Sequence, residues 1–309
     1  MSLIVIDPGQ CATVQDAGRP GYLRFGVPRG GAFDAFSADL ANALVGNPAG
    51  RAVVELTLRG GEFEAECPLA LAIAGAPMPA MVVEAGTIVR SLDPPTSFTL
   101  AAGRRLRLGR ASCGLRTYLA VRQGWQTPRV LDSRSRETFL RPGDRLPGEP
   151  GVVPIHRPRE VSLTEPSDRR LRVLPGPDAG LGSYLLESLA NGVFRVGLHS
   201  NRVGVRLAGS PIVVAGDPSR LSSPVAPGAI QLAGEQLIVL GVACGTMGGY
   251  PHVAQVVTAD LDRLGQLAPG DDVSFELVDL DQARALDRER SRQARAILAR
   301  IRSATRPGG

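Results

Sequence analysis

Lysine is absent from this 309-residue chain: all 35 basic residues are arginine. The chain therefore cannot carry biotin on a lysine of its own, form a Schiff base with pyridoxal phosphate, or supply a P-loop lysine. Any biotin or ATP chemistry has to draw on other groups or other chains. Cysteine is scarce too. Cys11, Cys67, Cys113 and Cys244 lie far apart, with no C-x-x-C pair and no cysteine-histidine pair at zinc spacing, so no metal site is expected and free thiols in a reducing compartment are. The opening, MSLIVIDPGQ, reaches an acid and a proline before a basic n-region and apolar core can form. No secretory leader is expected, and the expected location is cytoplasmic. The longest uncharged run, 236–257, is broken by Gly241, Gly245, Gly248, Gly249 and Pro251 and contains His252 and Gln255. It reads as two buried strands joined by a loop and not as a membrane span.

With 43% hydrophobic and 21% charged residues the chain is an ordinary globular protein, long enough for two domains. Its formal charge of +5 does not point to nucleic acid. Residues 281–309 hold eight arginines against three acids, which accounts for the whole excess and leaves a neutral body. A solvated arginine-rich helix is the expectation.

Residues 13–48 pack polar, charged and glycine residues between two apolar runs. Gly18, Gly21, Gly26, Gly30 and Gly31, with Pro20 and Pro28, forbid a long regular element up to about Gly31. From Asp34 the pattern turns helical: Phe36, Leu40, Ala43 and Leu44 share a face, Asp34 with Ser37 can cap the start, and Gly46-Asn47-Pro48 ends it. A loop feeding a helix start suits an anion, or is simply a connection.

Short apolar runs follow at regular spacing, at 3–6, 52–58, 69–73, 81–83, 87–89, 97–100, 106–108 and 116–122, separated by turn residues. That is the pattern of a β-barrel or sandwich. Residues 148–170, rich in Pro, Arg and Glu, read as a linker. Strands are then expected at 171–174, 194–196, 205–207, 212–214, 229–232, 237–240, 253–257 and 273–277, with a short helix at 181–190 and a long one over 280–302. The expected organisation is an N-terminal domain over 1–147, the linker, a C-terminal domain over 171–280, and a helix and tail over 281–309.

TVQDAGRPGY, GVPRGGAFDAFS and LANALVGNP, followed in order by YLAVRQG, VLDSRSRETF, RVLPGP, SNRVGVRLAG, PGAIQL, GGYPHVAQVVTADL and QLAPGD, resemble the 5-oxoprolinase C-subunit family, also called KipI antagonist, allophanate hydrolase subunit 2-like or biotin-dependent carboxyltransferase family proteins. The resemblance implies a mainly β fold of two cyclophilin-like β-barrel domains with a few short helices and the C-terminal helix. It implies one component of an ATP-dependent 5-oxoprolinase that converts 5-oxoproline to glutamate with a KipI-like chain and a LamB/YcsF-like chain. Two other behaviours fall within it: biotin-dependent carboxyl transfer to a urea-like amide, with biotin carried by another chain, and non-catalytic binding of a KipI-like partner.

Four groups could carry the chemistry. Asp16 and Arg19, with Gln15 beside them, could grip a carboxylate, or be a surface ion pair. Ser133, Arg134 and Ser135 could bind an oxyanion or acyl oxygen, or be a polar turn. Asn201 and Arg202 stand where the family usually has Asp-Arg, and Asn201 keeps hydrogen-bonding capacity without the charge. Gly248, Gly249, Tyr250 and His252 form a tight turn in which His252 is either a general base or a packed histidine. Cys244 before it has no evident base partner and reads as a buried thiol. The resemblance makes Asp16, Arg19, Arg134, Arg202 and Tyr250 the expected catalytic set. It adds Gln15, Asp34, Ser37, Ser133, Ser135, Asn201, Gln231, Gly248, Gly249 and His252 as substrate-binding positions. This chain also runs directly from Glu137-Thr138-Phe139-Leu140 to Arg141, where the family usually inserts a glycine-rich segment, so a shortened loop is expected there.

Overall fold

A computed structural model describes residues 1–158, 161, 169–182, 184–209, 212 and 220–305. The chain divides into two compact units. The first comprises Met1–Gly18, Asp34–Ser162 and Ala294–Gly309, the second Arg19–Phe33 and Leu163–Gln293.

The first unit is built on two antiparallel sheets. One runs in the order Arg145–Pro147, Ser2–Asp7, Glu62–Ala65, Arg105–Leu108, Ala80–Glu84, Thr87–Leu92. The other runs Cys11–Gln15, Val53–Thr57, Arg116–Val121, Leu69–Gly75, Thr96–Leu100. Their sequences differ because their outer faces do. In the first sheet EFEA and RLRL alternate, burying Phe63, Leu106 and Leu108 while Glu62 pairs with Arg105 and Arg107, and Glu64 with Arg105, on the wet face. In the second, RTYLAV is buried at every position, because helix α1 (Ala35–Leu44) covers the other face. Asp34 caps α1 as its sequence indicates, its Oδ1 accepting from the Ser37 N–H at 2.9 Å.

The second unit is a closed seven-stranded barrel in the order Arg170–Pro175, His252–Val256, Ala229–Ala233, Gln236–Leu240, Gly204–Ala208, Val193–Val196, Asp272–Leu277. A parallel pairing of Arg170–Pro175 with Asp272–Leu277 closes it. Leu171, Val173, Phe194, Ile230, Val239 and Phe275 fill its core, and Phe33, at the end of the N-terminal glycine-rich loop, is buried among them. Helix α2 (Leu185–Asn191) packs against Asp272–Leu277.

Helix α3 (Leu261–Gln266) was not legible in the sequence, being less than two turns long. The long C-terminal helix α4 spans Leu280–Thr305. Its first half belongs to the second unit, where Ala283 packs with Val257 and Ala259 and Arg290 pairs with Asp262. Its second half belongs to the first, where the Thr305 hydroxyl donates to the Ala43 carbonyl at 3.1 Å.

Mainly β architecture with short helices and a long C-terminal helix is thus what the chain adopts, with the closed barrel in the second unit and paired sheets in the first. Residues 148–158 of the stretch read as a linker run along Thr96–Leu100, where Ser97 N–H donates to His156 O at 3.1 Å and Thr99 Oγ1 to Val153 O at 2.9 Å. The rest of that stretch, apart from Val161, Arg169 and Arg170, lies outside the described residues, as do residues 213 and 214 of the strand expected at 212–214. No described helix is long and apolar enough to cross a membrane.

Candidate functional site

The expected site residues fall into constellations within each unit. In the first unit the organiser is Asp16, directly after the strand Cys11–Gln15. Its Oδ1 accepts from Gly18 N–H at 2.8 Å, Ser133 Oγ at 2.6 Å and Ser135 Oγ at 2.7 Å, and its Oδ2 from Arg134 N–H at 2.6 Å. Ser133 and Ser135 are almost fully buried, and Ser135 Oγ also accepts from the Asp16 N–H at 3.0 Å. One carboxylate therefore gathers three consecutive residues more than a hundred positions away.

The segment that Asp16 holds is a tight turn. Val130 and Ser133 exchange backbone hydrogen bonds across it, and between them Leu131 and Asp132 have φ of 51° and 61°. A leucine in the left-handed region is costly, and such strain persists where the surroundings over-determine it, characteristically at functional sites. The turn delivers Arg134, whose guanidinium is pinned by the Thr127 carbonyl and by Gln126 Oε1 at 2.7 Å. Burial, then Arg129 and Arg51, hold Arg134 below the usual arginine pKa against the opposing pull of Asp16. Gln15 is fully buried, its Nε2 donating to Arg136 O at 2.7 Å and Thr13 Oγ1 at 3.0 Å while its Oε1 has no partner. The short segment after Arg136 lies along the strand Cys11–Gln15, with Arg136 N–H donating to Val14 O and Leu140 N–H to Ala12 O.

A second buried network in the same unit includes Asp34 and Ser37. Tyr118 Oη accepts from the Asp34 N–H at 2.8 Å and donates to Glu55 Oε2 at 2.9 Å, and Glu55 Oε1 lies 3.4 Å from Arg116 Nε. Ser37 Oγ donates to Asp34 Oδ2 at 2.6 Å. Burial, with Glu55 and Asp34, pushes the Tyr118 phenol well above its ordinary value, so it is a fixed donor. Glu55, Arg116 and Tyr118 were missed by sequence reasoning.

Arg19, Arg202, Asn201, Gln231, Gly248, Gly249, Tyr250 and His252 belong to the second unit. Arg19 N–H donates to Arg29 O at 2.7 Å, closing the glycine-rich loop. Arg202 is buried and Nη2 donates to Gly31 O at 2.6 Å, tying that loop to the barrel. Gly241 must be glycine here, because a Cβ would sit 2.2 Å from the Arg202 carbonyl oxygen. Asn201 Oδ1 accepts from Val203 and Gly204 N–H, a local turn role.

Gln231 and His252 are cross-strand neighbours. Gln231 is buried, its Nε2 reaches Tyr250 O at 3.4 Å, and Gly248 lies so close that a Cβ would meet that nitrogen at 2.3 Å. Gly249 continues the turn beside Ser222, and Tyr250 is half exposed. His252 N–H donates to Asp178 Oδ2 at 2.7 Å, and Arg220 forks onto the same carboxylate. Burial pushes the imidazole below its ordinary pKa despite its hydrogen bond to the Ala254 backbone and the charge of Asp178, so it is neutral near pH 7. Burial would raise Asp178, but Arg220 and the His252 N–H outweigh it and hold the carboxyl low. Asp178 and Arg220, far from the motif in sequence, gave no signal.

Cys244 is buried and its thiol is pushed up to about 11 by that burial, which leaves almost no thiolate at neutral pH. Iodoacetamide at neutral pH is expected to leave Cys244 unmodified in the folded protein and to label it after denaturation. Stoichiometric labelling of Cys244 in the folded chain would contradict this.

Comparison with known proteins adds the family. Residues 25–277 match the family model for the carboxyltransferase domain, subdomains A and B. The chain is 32% identical to the 5-oxoprolinase C-subunit of Escherichia coli over 301 residues, covering 91% of this chain and 93% of that protein. It is 30% identical to urea amidolyase of Saccharomyces cerevisiae over 316 residues, covering 90% of this chain and 17% of that protein. Among solved structures, K. lactis urea amidolyase superposes with TM-score 0.82 at 27% identity, over 96% of this chain and 20% of that one. TTHA0988 superposes with TM-score 0.79 at 34% identity, over 89% of this chain and 56% of that one. The chain thus spans nearly all of the bacterial relative, just over half of TTHA0988 and about a fifth of the urea amidolyases.

Proposed function

The chain belongs to the carboxyltransferase-domain family, subdomains A and B, and from that premise we propose that it works as the C-subunit of a multi-chain, ATP-dependent 5-oxoprolinase, opening the lactam of 5-oxoproline to glutamate together with a KipI-like and a LamB/YcsF-like chain. What carries this reading is the Asp16-held turn presenting Arg134. Lactam opening builds negative charge on a carbonyl oxygen of a substrate that already bears a carboxylate, and a pre-oriented guanidinium can stabilise such charge. Two nitrogens of Arg134 are spent on Thr127 O and Gln126 Oε1, which fixes the plane of the group before any ligand arrives. Asp16 then acts as a positioning residue, since its oxygens already serve four donors. In the second unit Arg202 braces the glycine-rich loop and Gln231, with the amides of Gly248 and Gly249, offers donors to a carbonyl oxygen. ATP would supply phosphoryl activation of the amide. No P-loop lysine exists to receive it, but arginines do.

Likeness to the urea amidolyases favours a second reading, carboxyl transfer to a urea-like amide. With no lysine in the chain, biotin would arrive on another protein, and the same arginines would hold the carboxylate.

Affinity purification of the chain from its own host, with identification of the co-eluting chains, separates the readings. The oxoprolinase reading expects a KipI-like and a LamB/YcsF-like chain. A biotinylated carrier instead would overturn it in favour of carboxyl transfer, and a KipI-like chain alone would favour a purely binding role.

A further inference from the structure

Gln126 was not among the expected site residues, yet it shares the grip on Arg134. Its Oε1 accepts from Arg134 Nη2 at 2.7 Å, and the contact on Nη1 is the Thr127 carbonyl. Both acceptors are neutral. Asp16, by contrast, accepts the backbone N–H of Arg134, at 2.6 Å. A guanidinium carries five N–H groups, so the two neutral contacts orient it and leave three for a ligand.

The amide of Gln126 can point only one way. Its Nε2 donates to Gln123 O at 3.1 Å and Gly124 O at 3.0 Å, so Oε1 is the end turned to Arg134. Those two carbonyls are themselves fixed. Gln123 and Gly124 lie in the left-handed region with φ of 67° and 77°, which a glutamine keeps only where its surroundings hold it there. What holds it is Asn47, at the end of the LANALVGNP motif and buried. Asn47 Oδ1 accepts from Gln123 N–H at 2.6 Å, while its Nδ2 donates to Val121 O and Asn42 Oδ1, both at 2.8 Å. The Gln126 backbone is held as well, its N–H donating to Pro147 O at 2.8 Å next to the fully buried Trp125. Two motifs that the lactam chemistry leaves unused, LANALVGNP and YLAVRQG, thus converge on the orientation of one side chain.

A glutamate at position 126 would reach the same Nη2 with equal length and a stronger, charge-assisted hydrogen bond. It would also cancel the charge on Arg134 and set an anion against the carbonyls of Gln123 and Gly124. The amide avoids both. We propose that Gln126 is a positioning residue that fixes Arg134 while leaving its positive charge uncancelled, so that the guanidinium can meet an anionic oxygen. The use of that charge on a lactam rests on the oxoprolinase reading; the clamp itself does not.

Modification of Arg134 by phenylglyoxal in the intact chain, followed by peptide mass mapping, tests the clamp without any turnover. Arg90, exposed on the strand Thr87–Leu92, is the internal reference. Gln126→Met and Gln126→Glu both lose the donors to Gln123 O and Gly124 O, so a merely structural staple would make the two variants behave alike. The clamp predicts opposite shifts. Relative to Arg90, labelling of Arg134 is expected to be about threefold faster in Gln126→Met, where a neutral hydrogen bond is lost, and about threefold slower in Gln126→Glu, where an ion pair replaces it. Gln126 is half-buried, and either variant alone gives the sign against the parent should the other not fold. Shifts of the same sign in both variants, or parent-like labelling in either, would overturn the clamp. In the assembled complex both variants are expected to lose at least about tenfold in ATP-dependent glutamate release. Opposite labelling shifts with undiminished release would overturn the use of Arg134 in lactam opening and leave the clamp standing.

Discussion

Asp16→Asn is expected to lower stability by about 2–4 kcal/mol, because hydrogen bonds to an ionised acceptor are each worth roughly 1.5–3 kcal/mol and four donors converge on this carboxylate. An amide offers one acceptor oxygen and turns its NH2 toward groups that are themselves donors. Ser133 and Ser135 are too deeply buried to recover the loss from water. The turn that carries Arg134 is intrinsically unfavourable at Leu131 and Asp132, so once Asp16 stops holding it, it relaxes. If Arg134 acts as proposed, turnover in the complex falls more than stability explains, by about a hundredfold or more, the usual loss for a misplaced transition-state donor. Urea denaturation and a rate measurement on the same variant check both parts. Parent-like stability would show that the turn stands without Asp16.

Glu55→Gln is expected to cost about 3–5 kcal/mol, the usual penalty for removing one partner of a buried ion pair. Glu55 and Arg116 are nearly inaccessible to solvent, at side-chain exposures of 0% and 4%. The neutral amide can still accept from Tyr118, so the loss reports the charge. Tyr118→Phe is expected to cost about 2 kcal/mol for the opposite reason, since it keeps the charge but strands the Asp34 N–H and one Glu55 oxygen. The two changes touch one network and should not add; a double-mutant cycle is expected to show coupling of about 1 kcal/mol or more. A loss under about 1 kcal/mol for Glu55→Gln would mean that the pair contributes little beyond what apolar packing would supply.

Local rules carried the sequence reading where the structure is local. The helix after Asp34, its cap and its stop were all legible, because a cap and its partner lie three residues apart. The short apolar run at 106–108 is a strand, Arg105–Leu108, whereas Glu62–Ala65 offered only Phe63 as an apolar signal. Glu55, by contrast, sits inside the apolar run VVELT and reads as the one outward position of a strand, yet α1 and neighbouring strands bury both faces of that sheet. A glutamate and an arginine in two runs that are otherwise apolar is the signal that could have found the pair. The Asp16 hub was illegible for another reason. Its partners lie 117 to 119 residues away, and the motif QDAGR suggests only its own neighbour Arg19.

The most direct test of the account is glutamate release from 5-oxoproline by the assembled complex, with and without ATP, comparing the parent chain with Arg134→Ala. The account predicts ATP-dependent release that drops at least about a hundredfold in the variant while the complex still assembles, because the guanidinium that meets the developing charge is gone. Undiminished release by Arg134→Ala, or a parent complex that consumes ATP only with bicarbonate and a urea-like amide, would contradict it.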